Sequence, residues 1–224
     1  MLSADDPLPL RPERVLVAGV TGSGKTTLSA RLGELWSLRH VEIDSLFHGP
    51  EWTPRPTFLD DVRAFAAEDL WVTEWQYTSK GTDEILAPRA QLAIWLDYPY
   101  RVVRSRLLRR TLSRSILRTR MWNDNVEKPI WRMFRSDPEE NILAWQTTTL
   151  HKWAERFPSV EKGFPHLTIV RLRHPRETER WVRAQTLRLA SLAQGPEEAQ
   201  TSRERQADAS GVSIAPPKRR SRDR

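Results

Sequence analysis

At 224 residues the chain is long enough for one α/β core with a short tail to spare. It contains no cysteine, which excludes disulfides and thiolate metal sites and fits a reducing compartment. No stretch is apolar and long enough for a signal peptide or a membrane span, so a soluble, cytoplasmic monomer without a membrane partner is expected. The net charge of +7 is local: Tyr100 to Arg120 carries eight arginines and no acid, and without it the rest of the chain is nearly neutral.

Residues 1–12 read as a flexible N-terminus, and residues 13–193 as one domain. Arg14 to Ala18 is a short apolar run ending at Gly19, as a buried parallel strand ends. Between Thr26 and Trp36, Leu28, Leu32 and Leu35 recur at helical spacing. His40 to Ile43 reads as a second strand closed by Asp44. The prolines of Gly49 to Pro56 (GPEWTPRP) argue against regular structure there. Thr57 to Asp69 reads as an amphipathic helix with Phe58, Val62 and Phe65 on one side. Leu70 to Thr73 and Gln91 to Leu96 read as strands, the second stopped by Asp97 and Pro99. Pro138 to Phe157 reads as helix, Leu167 to Leu172 as a fifth strand, and Pro175 starts a last helix. From about residue 194 the composition turns to Gly, Pro, Ser, Arg and Glu, and residues 194–224 read as a disordered basic tail. Strands alternating with helices predict a parallel sheet covered on both faces.

Gly19 to Thr26, GVTGSGKT, matches GxxxxGK[ST] at every fixed position. Gly22 and Gly24 permit a tight turn whose N–H groups form an anion nest, and the following helix adds its positive end. Together with Thr21 and Ser23 the loop is read as a nucleoside triphosphate cradle. Lys25 serves the β- and γ-phosphates, the Thr26 hydroxyl ligates Mg²⁺, and Thr27 lies at the α-phosphate. Expected ligands are therefore ATP and a magnesium ion carried by it.

Ligands of open α/β sheets bind beyond the carboxyl ends of the strands, where Asp44, Glu74 and Asp97 lie. Glu74 is read as the metal-side acid. Asp44 either orients a phosphoryl acceptor or caps a helix, and Asp97 precedes a turn-forming proline. Arg106, Arg110, Arg114 and Arg118 share one helical face, with Leu108, Leu112 and Ile116 on the opposite one. Such a face suits a lid that neutralises phosphate charge. A solvated face or a nucleic-acid backbone contact are the other readings. Trp71, Trp95, Trp145 and Trp153 read as core, whereas Trp52 and Trp75 sit in expected strand-end loops and could sandwich a base. His48 reads as an acceptor contact or as loop packing.

The ordered set GVTGSGKTT, EIDSLFHGPEW, WVTEWQY, RAQLAIWLDYP, WNDNVE and HLTIVRLRHPRE resembles the adenylate-kinase-like P-loop proteins labelled DNA topology modulation proteins. The likeness runs from about Val15 to Arg183. It implies five parallel strands in the order 2-3-1-4-5 with a helical arginine-rich lid over about residues 100–136. It also implies that Asp44, His48 and Trp52 flank an acceptor pocket and that Arg106, Arg110 and WNDNVE belong to the lid. Two departures stand out. Glu74, Trp75 and Gln76 replace an Asp-Gly-Asn, and Asp124 replaces a central glycine. The leading expectation is ATP-dependent phosphoryl transfer to a small molecule or nucleotide, with Lys25, Asp44, Arg106 and Arg110 as the catalytic set and Asp44, His48, Trp52 and Glu74 around the acceptor. A nucleic-acid-associated regulator and an ATP-hydrolysing switch without an acceptor are the rivals.

Overall fold

A computed structural model describes residues 1–9, 11–117, 146–147 and 149–209; in the helices reaching 117 and 209 it describes side chains as far as 113 and 192. Arg114 and Arg118 as side chains, Trp145, WNDNVE and the lid beyond residue 117 therefore lie outside the described residues. The elements are β1 (Arg14–Gly19), α1 (Lys25–Trp36), β2 (Arg39–Val41), α2 (Ile43–Phe47), α3 (Phe58–Ala66), β3 (Trp71–Glu74) and α4 (Thr82–Leu86). They are followed by β4 (Leu92–Leu96), α5 (Tyr100–Leu117), α6 (Lys152–Gly163), β5 (Thr168–Leu172) and α7 (Pro175–Ala209). The five strands form one parallel sheet in the order β2-β3-β1-β4-β5. This is the predicted α/β sheet, in the predicted order. Met1–Trp181 is one compact unit and Val182–Arg224 another, and the site described below lies wholly in the first.

Alternation along the strands divides the core between the two faces. Leu16, Ala18, Ala93 and Trp95 join Phe58, Val62 and Phe65 of α3 and Trp153, Phe157 and Val160 of α6 in one buried cluster. Within it the Trp95 ring stacks on Phe157 at 4.6 Å, and Trp75 lies tilted on Trp153 at 5.3 Å. On the other face α1 packs over β1 and β3, and Trp36 meets Trp181 edge-on at 6.0 Å. The indoles thus fill the space between sheet and helices, as read for Trp71, Trp95 and Trp153.

Several expectations change. Trp75 is not a loop platform for a base: it is fully buried, and its indole N–H donates to Asp83 at 2.7 Å. A chain contact from α6, about eighty residues away, decides this. The N-terminus is attached to the sheet edge: Leu2 exchanges backbone hydrogen bonds with Ile169 and Arg171 at 2.7 and 2.9 Å, and Ala4 and Leu8 are buried. The segment from 194 to 209, expected to be disordered, continues α7, consistent with the helix-forming Glu, Gln, Ala and Arg that follow Pro196. Of the span Pro138 to Phe157 expected as helix, residues 146–147 are helical and 149–151 form a turn, and α6 then runs from Lys152 through Pro158 to Gly163, anchored by Trp153, Phe157 and Val160. Ile43 belongs to α2 and not to the second strand. In α5 the buried residues are Val103, Leu107 and Thr111, while Leu112 is exposed. Two series at four-residue spacing compete for the inner face, and the helix presents the one beside Arg106 and Arg110.

Candidate active site

The phosphate loop links β1 to α1, and its backbone explains its glycines. Gly22 and Gly24 have φ of 87° and 95°, values that side chains with a Cβ avoid. Gly22 also lies against α5: a Cβ there would approach the Val103 carbonyl oxygen at 2.6 Å and the Leu107 Cβ at 3.0 Å. Helix and loop meet backbone to backbone, which carries Arg106 and Arg110 to the loop. Arg106 donates to the Ser23 carbonyl at 3.2 Å and sits over the Tyr98 ring at 5.5 Å. Gly22→Ala combines a disfavoured φ with a clash against backbone, so it should cost roughly 2 to 4 kcal/mol. Urea denaturation will show it as a lower midpoint with an unchanged slope.

Lys25 is the first residue of α1 and only 8% exposed. Its Nζ lies 3.4 Å from the Val20 carbonyl. Burial pushes the ammonium down from its ordinary value to about 8, opposed by the Asp44 and Glu74 carboxylates and assisted by Arg110 and Lys152. A cation with few partners of its own, held beneath an anion nest, is poised for an anionic ligand. Thr26 and Thr27 are exposed on the first turn of α1 and line the same cleft. Gln146 joins from the far side of the chain, its amide donating to the Thr21 carbonyl at 2.8 Å.

The loop forms one end of a cleft of about 740 Å³. Asp44, His48, Trp52, Gln76 and Glu42 form another part of its wall, with Arg106 and Arg110 among the lining residues. The structure thus gathers the predicted phosphate loop, Asp44, His48, Trp52, Arg106 and Arg110 around one cavity. Asp44 is not a helix cap. It is the second residue of α2, which is capped at Glu42 without a side-chain hydrogen bond. Its carboxylate accepts from the Tyr77 hydroxyl at 2.6 Å and faces the Gln76 amide at 3.4 Å.

Tyr77, unassigned from sequence, organises this wall. Its oxygen lies 3.1 Å from His48 Nε2, and because the phenolic proton goes to Asp44, His48 donates to Tyr77. Burial, then the Asp44 charge and hydrogen bond, push the phenol above its ordinary value, so it stays a neutral donor. Burial likewise lowers His48 despite Asp44, which keeps the ring neutral at pH 7. The Tyr77 ring stacks on Phe47 at 4.2 Å and meets Phe58 edge-on at 5.2 Å. Its backbone φ of 55° is left-handed, as are those of Glu51 and Trp52 at 55° and 62°. Three such residues around one wall mark stored backbone strain. The proline-rich segment beside it is closed like a small hairpin: Gly49 donates to Thr53 at 2.7 Å and Arg55 to Phe47 at 2.9 Å. Its non-proline N–H groups make the ladder that the prolines cannot. Trp52 meets His48 edge-on at 5.1 Å.

Glu74 departs from its expected role. At 1% exposure it does not line the cleft; one oxygen is 3.0 Å from His40 Nε2 and the other accepts from the Ile43 N–H at 3.2 Å. Its position at the end of β3, beside Val17 of β1, lets its charge act on Lys25, but its carboxylate is turned to holding α2 against the sheet. Asp97 is also structural: Arg171 grips it at 2.5 and 2.9 Å. Among the described residues no group of three or more His, Asp or Glu is placed to hold a metal ion. The residues fit a metal that arrives with phosphates, for which the cleft-lining Thr26 hydroxyl offers an oxygen ligand.

A glycine-rich phosphate loop between the central strand and α1 of a 2-3-1-4-5 parallel sheet defines a P-loop α/β fold. No protein-family model and no curated protein matches the chain. Among solved structures, a gluconokinase from Sinorhizobium meliloti 1021 is similar at 19% identity over 81% of this chain and 95% of that one, with a TM-score of 0.45. A sugar kinase from Janibacter sp. HTCC2649 is similar at 21% identity over 66% of this chain and 97% of that one, with a TM-score of 0.31. Similarity of that degree says nothing about what this chain binds. Among the described residues no helix is long and apolar enough to cross a membrane.

Proposed function

We propose that the chain is an ATP-dependent phosphotransferase that moves the γ-phosphoryl group to a hydroxyl of a small molecule. The observation that carries this reading is the sharing of one cleft by the phosphate loop and by Asp44 and His48, which Tyr77 ties together through its hydroxyl. An oriented carboxylate in the same cleft suits a hydroxyl nucleophile, and the acceptor screen below separates a small-molecule hydroxyl from water. Lys25 and the loop N–H groups hold the phosphates, and Arg106 and Arg110 neutralise the charge that spreads over the transferring group. Thr26 would hold the nucleotide's Mg²⁺, which would supply further neutralisation of the phosphate oxygens. Asp44 accepts the proton of the attacking hydroxyl. The acceptor oxygen bonds to the γ-phosphorus as its bond to the β,γ-bridging oxygen breaks, and ADP leaves. Tyr77 and His48 act through Asp44 by fixing its carboxylate.

The test is ADP release measured with and without acceptors from several chemical classes. The reading predicts that at least one acceptor raises the rate tenfold or more over basal hydrolysis, with loss of the stimulated rate in Lys25→Ala. Basal ADP release that no acceptor changes would instead support a hydrolytic switch.

A further inference from the structure

Glu74 is a buried carboxylate to which the transfer step gives no part. It shares the α1 face of the sheet with His40 and Val72, which pack beside Gly33. Two partners meet its oxygens: His40 Nε2 at 3.0 Å and the Ile43 N–H at 3.2 Å. Ile43 is the first residue of α2, so its N–H has no partner within the helix. Asp44 is the next residue. The chain leaving β3 then grips the same place twice more. Tyr77 donates to one Asp44 oxygen at 2.6 Å, and the Gln76 amide faces the other at 3.4 Å. One short stretch, Glu74 to Tyr77, therefore holds Ile43 by its backbone and Asp44 by its carboxylate. Thr73, one residue earlier, donates to the Val41 carbonyl at 2.7 Å and fixes the strand that leads into α2.

On the transferase reading, on which this rests, we infer that Glu74 is a positioning residue for Asp44. It sets where α2 begins, and so where the Asp44 carboxylate meets the acceptor hydroxyl. Tyr77 and Gln76 orient that carboxylate, but they do not hold the backbone that carries it. The Glu74 contact does, and it is charge-assisted and shielded from water. Misplacing a reacting group by about 1 Å costs on the order of a hundredfold in rate. In this role the reach of the side chain is decisive, because only a long acid spans from β3 to the Ile43 N–H. An acid serving a metal would depend on its charge instead. Glu74 also brings its charge to bear on Lys25 from beside Val17 of β1, so reach and charge have to be separated by substitution.

Two variants of the full-length protein do this. Glu74→Gln keeps the length and loses the charge: its carbonyl oxygen still accepts from Ile43, with the amide toward His40 in the other tautomer. Glu74→Asp keeps the charge and is one methylene short. ADP release is measured with the acceptor that best stimulates the natural protein, and Mg²⁺ is titrated at fixed ATP. Glu74→Gln should keep about a third or more of the stimulated kcat, and Glu74→Asp should lose about tenfold or more. The Mg²⁺ concentration for half-maximal rate should change by less than about threefold in both. In an Asp44→Asn background, Glu74→Asp should bring no further loss, whereas damage to folding would add. The reverse order of the two variants, with a Mg²⁺ requirement raised about tenfold in Glu74→Gln, assigns the acid to the metal. That result overturns the inference and leaves the transferase reading standing, as does equal activity of the two variants. Should Glu74→Asp not fold, Glu74→Gln decides alone: turnover kept at an unchanged Mg²⁺ requirement supports the positioning role, and turnover lost overturns it. A natural protein that binds ATP and responds to no acceptor overturns both.

Discussion

Lys25→Met is expected to lower acceptor-stimulated turnover by about a thousandfold and, in the same molecule, to make the ligand-free protein more stable at pH 7. The loss follows from removing the cation that meets the phosphates. The gain follows from burial. The folded ammonium titrates near 8, below its ordinary 10.5, so folding at neutral pH charges a group in a place that disfavours charge. Below pH 8 the lysine is protonated in both states and that cost is present in full. Between about 8 and 10.5 the unfolded chain still binds the proton that the folded protein has released, so the stability of the natural protein rises with pH. Methionine fills the space without the charge. Its advantage should be on the order of 3 kcal/mol below pH 8 and fade toward pH 10.5. Urea midpoints of both proteins across that range measure it. A difference that does not change with pH would mean that Lys25 is not strained by burial. Affinity of the natural protein for ATP should also fall as the solution passes pH 8, because the free protein then loses the charge that greets the phosphates.

The parts of this site that sequence reveals are those whose geometry is local. GVTGSGKT specifies its own shape, because left-handed glycines, a helix N-terminus and a lysine at fixed spacing leave one arrangement, and the structure adopts it. The sheet follows from short apolar runs broken by Asp, Gly and Pro. Side-chain roles that depend on distant neighbours did not follow. Glu74 and Asp44 look alike as acids after strands. They differ because His40 and the Ile43 N–H take one, while Tyr77 turns the other toward the cleft. Trp75 looked exposed because its partners Trp153 and Phe157 come from α6. Tyr77 carried one faint signal, an aromatic hydroxyl three residues after the end acid of β3. Its left-handed backbone is what aims it at Asp44, and tyrosine gives no hint of that conformation in a sequence. On α5 the four-residue spacing puts Arg106 and Arg110 on one face, and both line the cleft, but the choice between Leu107 and Leu108 for the inner side was made by the contact with Gly22.

Asp44→Asn should reduce acceptor-stimulated ADP release by a factor on the order of 10² to 10⁴, the range for loss of a positioned proton acceptor, while ATP affinity changes by less than about threefold. The two effects separate because Asp44 faces the acceptor and Lys25 with the loop holds the nucleotide. Tyr77→Phe keeps the ring stacked on Phe47 and removes only the hydroxyl, whose bond to a carboxylate is worth roughly 1.5 to 3 kcal/mol. About a tenfold loss in kcat is expected, with KM for ATP unchanged. The two substitutions together are the sharper test. If Tyr77 acts only through Asp44, the double variant should be no slower than Asp44→Asn alone. Additive losses would mean that Tyr77 touches the acceptor itself. A stimulated rate that Asp44→Asn leaves intact would remove Asp44 from the reaction and with it the reason for the hydrogen-bonded wall around it.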